Sequence, residues 1–163
     1  MALRDHLATW QQRSGIDQWK PGELNARVIE IEADAGQWFV VRDPHHQVVA
    51  TARVTNADPH AWGARGRDGR AGYLHGLMVH RDFAGQGVGS AVLAWVEQFV
   101  ADCGRDSVRL DCLAHNRALR AYYRRHGYLD RGVNDFGGDR QWRPVARFEK
   151  PLEQLPGSGG PAG

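Results

Sequence analysis

The stretch HGLMVHRDFAGQGVGSAVLAW, residues 75–95, runs from an apolar segment ending at Val79 through Gly85, Gly87 and Gly89 into a helical pattern beginning near Val88. A strand that turns through glycines into a helix leaves the first backbone N–H groups of that helix without intrahelical partners, and the helix dipole adds positive potential there. Such an end binds phosphate. Glycine lets the backbone approach an oxygen closely and reach left-handed or strained φ values. Two familiar anion loops fail on AGQGVGS: a P-loop needs a lysine after its last glycine, and a dinucleotide fingerprint needs glycine where Ser90 stands.

Outward from this loop, YLHGLMV (73–79) predicts a buried strand. The segment 87–103 carries Val88, Val92, Val96, Phe99 and Cys103 at helical spacing and stops at Gly104. SVRLDCL (107–113) predicts a strand. NRALRAYYRRHG (116–127) predicts a helix capped by Asn116, striped by Leu119, Tyr122, Tyr123 and His126, and ended by Gly127. YLDRG and WRPVARFEK close the sheet, with Pro144 at a strand start or edge.

Upstream, RDHLATWQQR (4–13) predicts a helix and Ile16 to Trp19 a short second one. ARVIEIEAD (26–34), QWFVVRD (37–43) and VVATARVTN (48–56) predict three strands, the last two a hairpin across PHHQ. The Gly-, Asp- and Arg-rich stretch 57–72 has no apolar period and predicts a mobile loop. Residues 1–150 are expected to form one domain and the Gly/Pro-rich 151–163 a disordered tail.

The chain has 163 residues and 42% hydrophobic content, enough for one continuous core. Lys+Arg 21 against Asp+Glu 19 gives a formal charge of +2, which disfavours a nucleic-acid binder despite the arginines after residue 115. Cys103 and Cys112 form no disulfide framework or metal-ligand spacing, so no metal is expected, and His45 and His46 read as exposed turn residues. The charged, amphipathic start lacks the apolar region of a secretory signal, and a cytoplasmic protein with no membrane partner is expected.

AGQGVG (84–89) resembles the acetyl-CoA loop of the GNAT family of N-acetyltransferases, Q/R-x-x-G-x-G/A, with Gly87 and Gly89 in register and Ala84 where Arg or Gln is usual. Asn116, Tyr123, Gly127 and Tyr128 match the family's next helix, and YLHGLMVHR is similar to the corresponding strand of arylalkylamine N-acetyltransferases, where histidines face inward. The resemblance implies an α/β fold whose mixed, mostly antiparallel sheet of six to seven strands carries helices on both faces. The family's usual first strand has no counterpart here: either it is missing or the chain's start is late, and a missing strand leaves a bare sheet edge. Oligomeric state, monomer or homodimer, stays open.

The activity implied is acetyl transfer from acetyl-CoA to a primary amine of a small molecule or peptide by direct attack on the thioester; a non-catalytic acyl-CoA-sensing module is the alternative. The resemblance places the pantetheine arm on the main chain of Leu77, Met78 and Val79, and the diphosphate on Ala84, Gly85, Gln86, Gly87, Val88, Gly89 and Ser90, with Asn116 a further contact. Tyr123 stands at the general-acid position. His75 is the candidate base, sharing a strand face with Tyr73, Leu77 and Val79 if the period of two holds; a core histidine is the alternative. Trp10, Asp17 and Trp19 lie where the family shapes its acceptor pocket. Arg117, Arg120, Arg124 and Arg125 could reach the adenosine phosphates or remain solvated.

Overall fold

The computed structural model describes residues 2–15, 20, 22, 25–138 and 142–153. Strand β1 (Trp38–Arg42) and strand β2 (Val48–Thr55) form the expected antiparallel hairpin, and β2 pairs antiparallel with β3 (Ala71–Val79). β3 runs parallel to β4 (Ser107–Leu113); β4 pairs with β6 (Val145–Pro151), which pairs with β5 (Leu129–Asn134). The six-stranded sheet has the order β1-β2-β3-β4-β6-β5. Pro144 precedes β6, so its missing N–H costs the ladder nothing.

Helix α4 (Val88–Asp102) covers one face, burying Val92, Leu93, Val96 and Val100. Its apolar stripe ends at Val100, and Cys103 is the exposed C-cap residue. Gly72 of β3 sets how close the helix comes, because a Cβ there would collide with the Val100 side chain. Helix α5 (Arg117–Arg125) joins it; the Asn116 side chain accepts from Leu119 N–H at 3.0 Å, and Tyr123 is buried in the same core with Leu110, Cys112, Tyr128 and Phe148. Helix α1 (Ala2–Arg13) lies on the opposite face, with Leu3 and Leu7 packed on Met78. Among the described residues no helix is long and apolar enough to span a membrane.

Four expectations are corrected. Residues 26–34 form helix α2 (Ala26–Asp34), not a strand. Its three β-branched residues suit a strand, but Asn25 accepts from Arg27 N–H at 2.9 Å and caps a helix whose backbone is satisfied internally. It buries no residue and touches the sheet through Glu32, which accepts from Trp38 Nε1 and pairs with Arg53, both at 2.8 Å. The expected tail boundary falls inside β6, since Pro151 pairs with Ser107, and Leu152 packs on the core with its N–H on Asp106 O at 2.8 Å. Residues 154–163 and the helix expected at Ile16 to Trp19 lie outside the described residues.

The stretch 57–72 is ordered. Asp58 caps the short helix α3 (Pro59–Trp62), accepting from Ala61 N–H at 3.0 Å, and a 3-10 turn follows over Gly63–Arg67. Gly66 lets the turn fold back on Asp58, whose N–H bonds Gly66 O at 2.9 Å; any Cβ would strike that backbone. The lock is a buried ion network in place of an apolar stripe. Arg109 donates to Glu149 at 2.7 Å, Asp68 at 2.9 Å, Tyr73 Oη at 2.8 Å and Arg65 O at 2.7 Å, and stands over the Trp62 ring. Burial alone would weaken its proton affinity, but these partners raise it; burial likewise pushes Glu149 up, and Arg109, Arg65 and Arg131 hold it below its ordinary value.

The last correction concerns β3. Ala50 pairs with Val79 and Thr51 with Met78, but Arg53 pairs with His75, so Gly76 and Leu77 together oppose Ala52. This is a β-bulge. Gly76 carries it with φ +55, and a Cβ there would meet the Trp38 ring at 2.9 Å. The extra residue inverts side-chain parity: Leu74, Leu77 and Val79 pack toward α4 and α5, whereas Tyr73 and Met78 belong to clusters on the other face. His75 therefore does not share a face with Leu77 and Val79.

Removing the Arg109 guanidinium takes from buried Glu149 the shortest of its arginine contacts, at 2.7 Å, and from Asp68 its contact at 2.9 Å, so Arg109→Met is expected to lower stability by about 3 kcal/mol, read as the urea midpoint. The double variant Arg109→Met/Glu149→Met is expected to regain most of this. An unchanged midpoint for the single variant refutes the lock.

Candidate active site

The β3–β4 ladder has four rungs, Ala71 to Leu74 against Ser107 to Leu110, and there it stops. Beyond it the strands part, and a cavity of about 810 Å³ opens along the gap. Its wall includes Leu77, Met78 and Val79 of β3, Asp111 and Cys112 of β4, Tyr122 and Tyr123 of α5, and Trp10 of α1. The Arg81 guanidinium lies over the Trp10 ring at 4.0 Å. Asp17 and Trp19 lie outside the described residues.

At one end the cavity meets the start of α4. Gly87 is the N-cap residue at φ +81, with no side-chain cap. The first helical bond runs from Ala91 N–H to Gly87 O at 3.0 Å, so the N–H groups of Val88, Gly89 and Ser90 precede the ladder. Ala84, Gly85, Gly87, Val88, Gly89, Ser90 and Asn116 all line the cavity. Gln86 does not; its amide turns back and donates to Asp82 O at 2.8 Å. Gly89 leaves room for the Tyr122 hydroxyl, which a Cβ would meet at 2.8 Å.

Ser90 is tied to α5. His126 Nδ1 bonds Tyr122 O at 2.8 Å and must donate, which leaves Nε2 to accept from Ser90 Oγ at 2.8 Å. Of the four arginines, Arg120 and Arg124 are held by Asp130 at 3.0 and 2.6 Å, while Arg125 lines the cavity. His45 and His46 sit in the exposed hairpin turn.

Tyr123 lies on the α4/α5 side of the gap, and its hydroxyl makes no hydrogen bond among the described residues. Burial, with Cys112 and Asp111 nearby, drives its phenol well above the ordinary range, so it holds its proton at neutral pH. Burial also pushes the Cys112 thiol up to about 12, which leaves it a poor nucleophile.

His75 borders the gap from the other side, with its register partner Arg53. Thr55 Oγ1 donates to Ala57 O at 3.1 Å, so it accepts from His75 Nε2–H at 3.2 Å and the lone pair is left on Nδ1. Burial lowers the imidazole's proton affinity, opposed by the Asp58 charge.

Two carboxylates that sequence reasoning missed stand beside it. One ligating atom each from Asp58, His75 and Asp111 lie within 4.8 Å of one another. Burial, then the Asp58 charge, lifts Asp111 to about 6. Asp111 alternates with buried Leu110 and Cys112 in a strand that reads as core, and Asp58 looked like a loop residue. Only the turn of residues 57–70 over the sheet unites them. Although no spacing in the sequence suggested a metal, these donors are of types that hold cations.

A family model for the Acetyltransferase (GNAT) family matches residues 4–128. The uncharacterized N-acetyltransferase YesJ of Bacillus subtilis (strain 168) is 34% identical over 137 residues, spanning 80% of this chain and 74% of YesJ. Among solved structures, a GNAT-family acetyltransferase from Listeria monocytogenes 4b F2365 superposes with a TM-score of 0.73 at 22% identity, over 93% of this chain and 92% of that one. A Bacillus anthracis str. Ames protein assigned as a streptothricin acetyltransferase, solved with acetyl coenzyme A, gives 0.58 at 14% identity over 71% and 62%. The family match and the YesJ relation agree with the fold: the chain belongs to the GNAT family and is an N-acetyltransferase.

Proposed function

We propose that this protein transfers the acetyl group of acetyl-CoA to the primary amine of a small molecule or peptide by direct attack on the thioester. One observation carries the reading: the bare N–H groups at the start of α4 and the β3–β4 gap open into the same cavity. In this reading the amides of Gly87 to Ser90 receive the diphosphate, and the main chain of Leu77 to Val79, unpaired on its β4 side, holds the pantetheine arm. The acetyl group then lies between Tyr123 and His75. The acetyl-CoA seen in the Bacillus anthracis relative supports the same co-substrate here.

His75 Nδ1 takes one proton from the alkylammonium, freeing the nitrogen lone pair. That pair forms the C–N bond as the carbonyl π pair moves to oxygen, and its return breaks the C–S bond. Tyr123 protonates the departing thiolate and recovers a proton from the new amide nitrogen, so one proton leaves overall, through His75. The high-pKa Cys112 thiol argues against a cysteinyl-acyl intermediate. Ala84, which removes one loop side chain, favours the alternative of a non-catalytic acyl-CoA sensor; a phenol and an imidazole on opposite sides of the gap favour catalysis.

Binding of acetyl-CoA by calorimetry and acetylation of an amine panel test the reading; no heat on titration refutes it, and binding without turnover selects the sensor. Gly87→Val forces a β-branched residue to φ +81 and is expected to weaken acetyl-CoA about tenfold, whereas Gly87→Asn, which tolerates that region, retains most affinity. Tyr123→Phe is expected to cut kcat about 100-fold with little change in acetyl-CoA affinity; unchanged kcat removes Tyr123 from the role.

The pH profile has a defined sign. His75, facing Asp58, Arg53 and Glu32, has its pKa lowered, and Asp111, facing Asp58, is raised to about 6. Both must be unprotonated to receive the ammonium and its proton, so kcat/KM is expected to fall as pH drops below about 6 and to level above it. A flat profile from pH about 5 to about 8 contradicts this assignment.

A further inference from the structure

We propose that the carboxylates of Asp58 and Asp111, with the His75 imidazole between strand and loop, form a three-acceptor seat for the acceptor's primary ammonium group. The inference rests on the acetyltransferase reading and adds the side chains that hold the acceptor's ammonium and the selection they impose, a protonated alkylamine over a neutral aromatic amine.

A primary ammonium presents three N–H donors around one nitrogen. The cluster brings one nitrogen or carboxylate oxygen from each residue within 4.8 Å of the others. Each residue keeps an acceptor atom that takes no hydrogen bond among the described residues. Asp58 uses Oδ1 to cap α3, leaving Oδ2. The Asp111 carboxylate takes no hydrogen bond among the described residues. His75 commits Nε2–H to Thr55, leaving the Nδ1 lone pair.

Position agrees with chemistry. His75 and Asp111 each follow the last rung of the β3–β4 ladder, Leu74 against Leu110, so they flank the mouth of the gap on the two strands. Asp58 comes from above, held by its N–H bond to Gly66 O and by the Arg65 and Asp68 contacts of buried Arg109. Two carboxylates beside a buried imidazole also favour the imidazolium formed when the ammonium gives up its proton. A neutral aryl amine offers two donors and no charge, and would leave a desolvated carboxylate unpaired.

Calorimetric titration of n-hexylamine hydrochloride into the full chain saturated with CoA, at neutral pH, tests the seat. Saturable binding is expected, with no saturable binding of aniline. Asp58→Asn and Asp111→Asn are each expected to weaken n-hexylamine about tenfold or more, the scale of a hydrogen bond to a charged group. Asparagine preserves side-chain shape and the α3 cap, and thermal melting checks that both variants fold. Unchanged n-hexylamine affinity in the double variant, aniline bound as tightly as n-hexylamine, or loss of n-hexylamine binding on adding EDTA overturns the proposal; the last would put a metal ion in the seat. Loss of CoA binding by the wild-type chain counts against the acetyltransferase reading alone, and the same amine titration into the CoA-free chain then decides the seat.

Discussion

The parting of β3 from β4 is the constraint on which the rest of this molecule depends. A parallel pair holds together only while its N–H and C=O groups alternate in register, and here they do so for four rungs. The bulge at Gly76 twists β3 away, and Thr51 Oγ1 fixes the freed Gly76 carbonyl from the far side at 3.0 Å. A packed sheet thereby acquires a slot lined with unused backbone donors and acceptors. It also acquires two chemically different sides: an apolar one with a phenol, and a polar one with imidazole and carboxylates.

The polar side is stabilised by charge where a small domain would ordinarily use apolar packing. Arg109 is 3% exposed and Glu149 5%, yet both are satisfied by several partners, which is the condition for tolerating buried ions. The same guanidinium binds Arg65 O and Asp68, so the network fixes the segment that carries Asp58. Stability and site geometry are thus coupled through one side chain. The apolar side follows different physics: Gly72 admits Val100, and α4 and α5 share one core that orients Tyr123 inward while Tyr122 closes over Gly89.

Sequence and structure disagree where local pattern and tertiary partner compete. The Val-Ile-Glu-Ile alternation of residues 28–31 reads as a strand, but without a ladder partner its backbone bonds internally and a helix forms behind the Asn25 cap. The polar stretch after Ala57 reads as mobile because an ion network has no period to detect. His75 reads as facing Leu77 because a bulge of one residue inverts every later side chain.

What the sequence determined by itself was whatever local backbone physics controls: the glycine turn into α4, the caps at Asn116 and Gly127, the hairpin, and the strands on either side of the gap. These depend on residues a few positions apart, and the spacing of Gly87, Gly89, Asn116 and Tyr123 was enough to indicate the family. Only the tertiary structure decided which side of the sheet His75 borders and that Asp58, His75 and Asp111 converge. Their meeting requires a loop folded across strands distant in sequence, and such contacts are set by packing and buried charge, which leave no period in the chain.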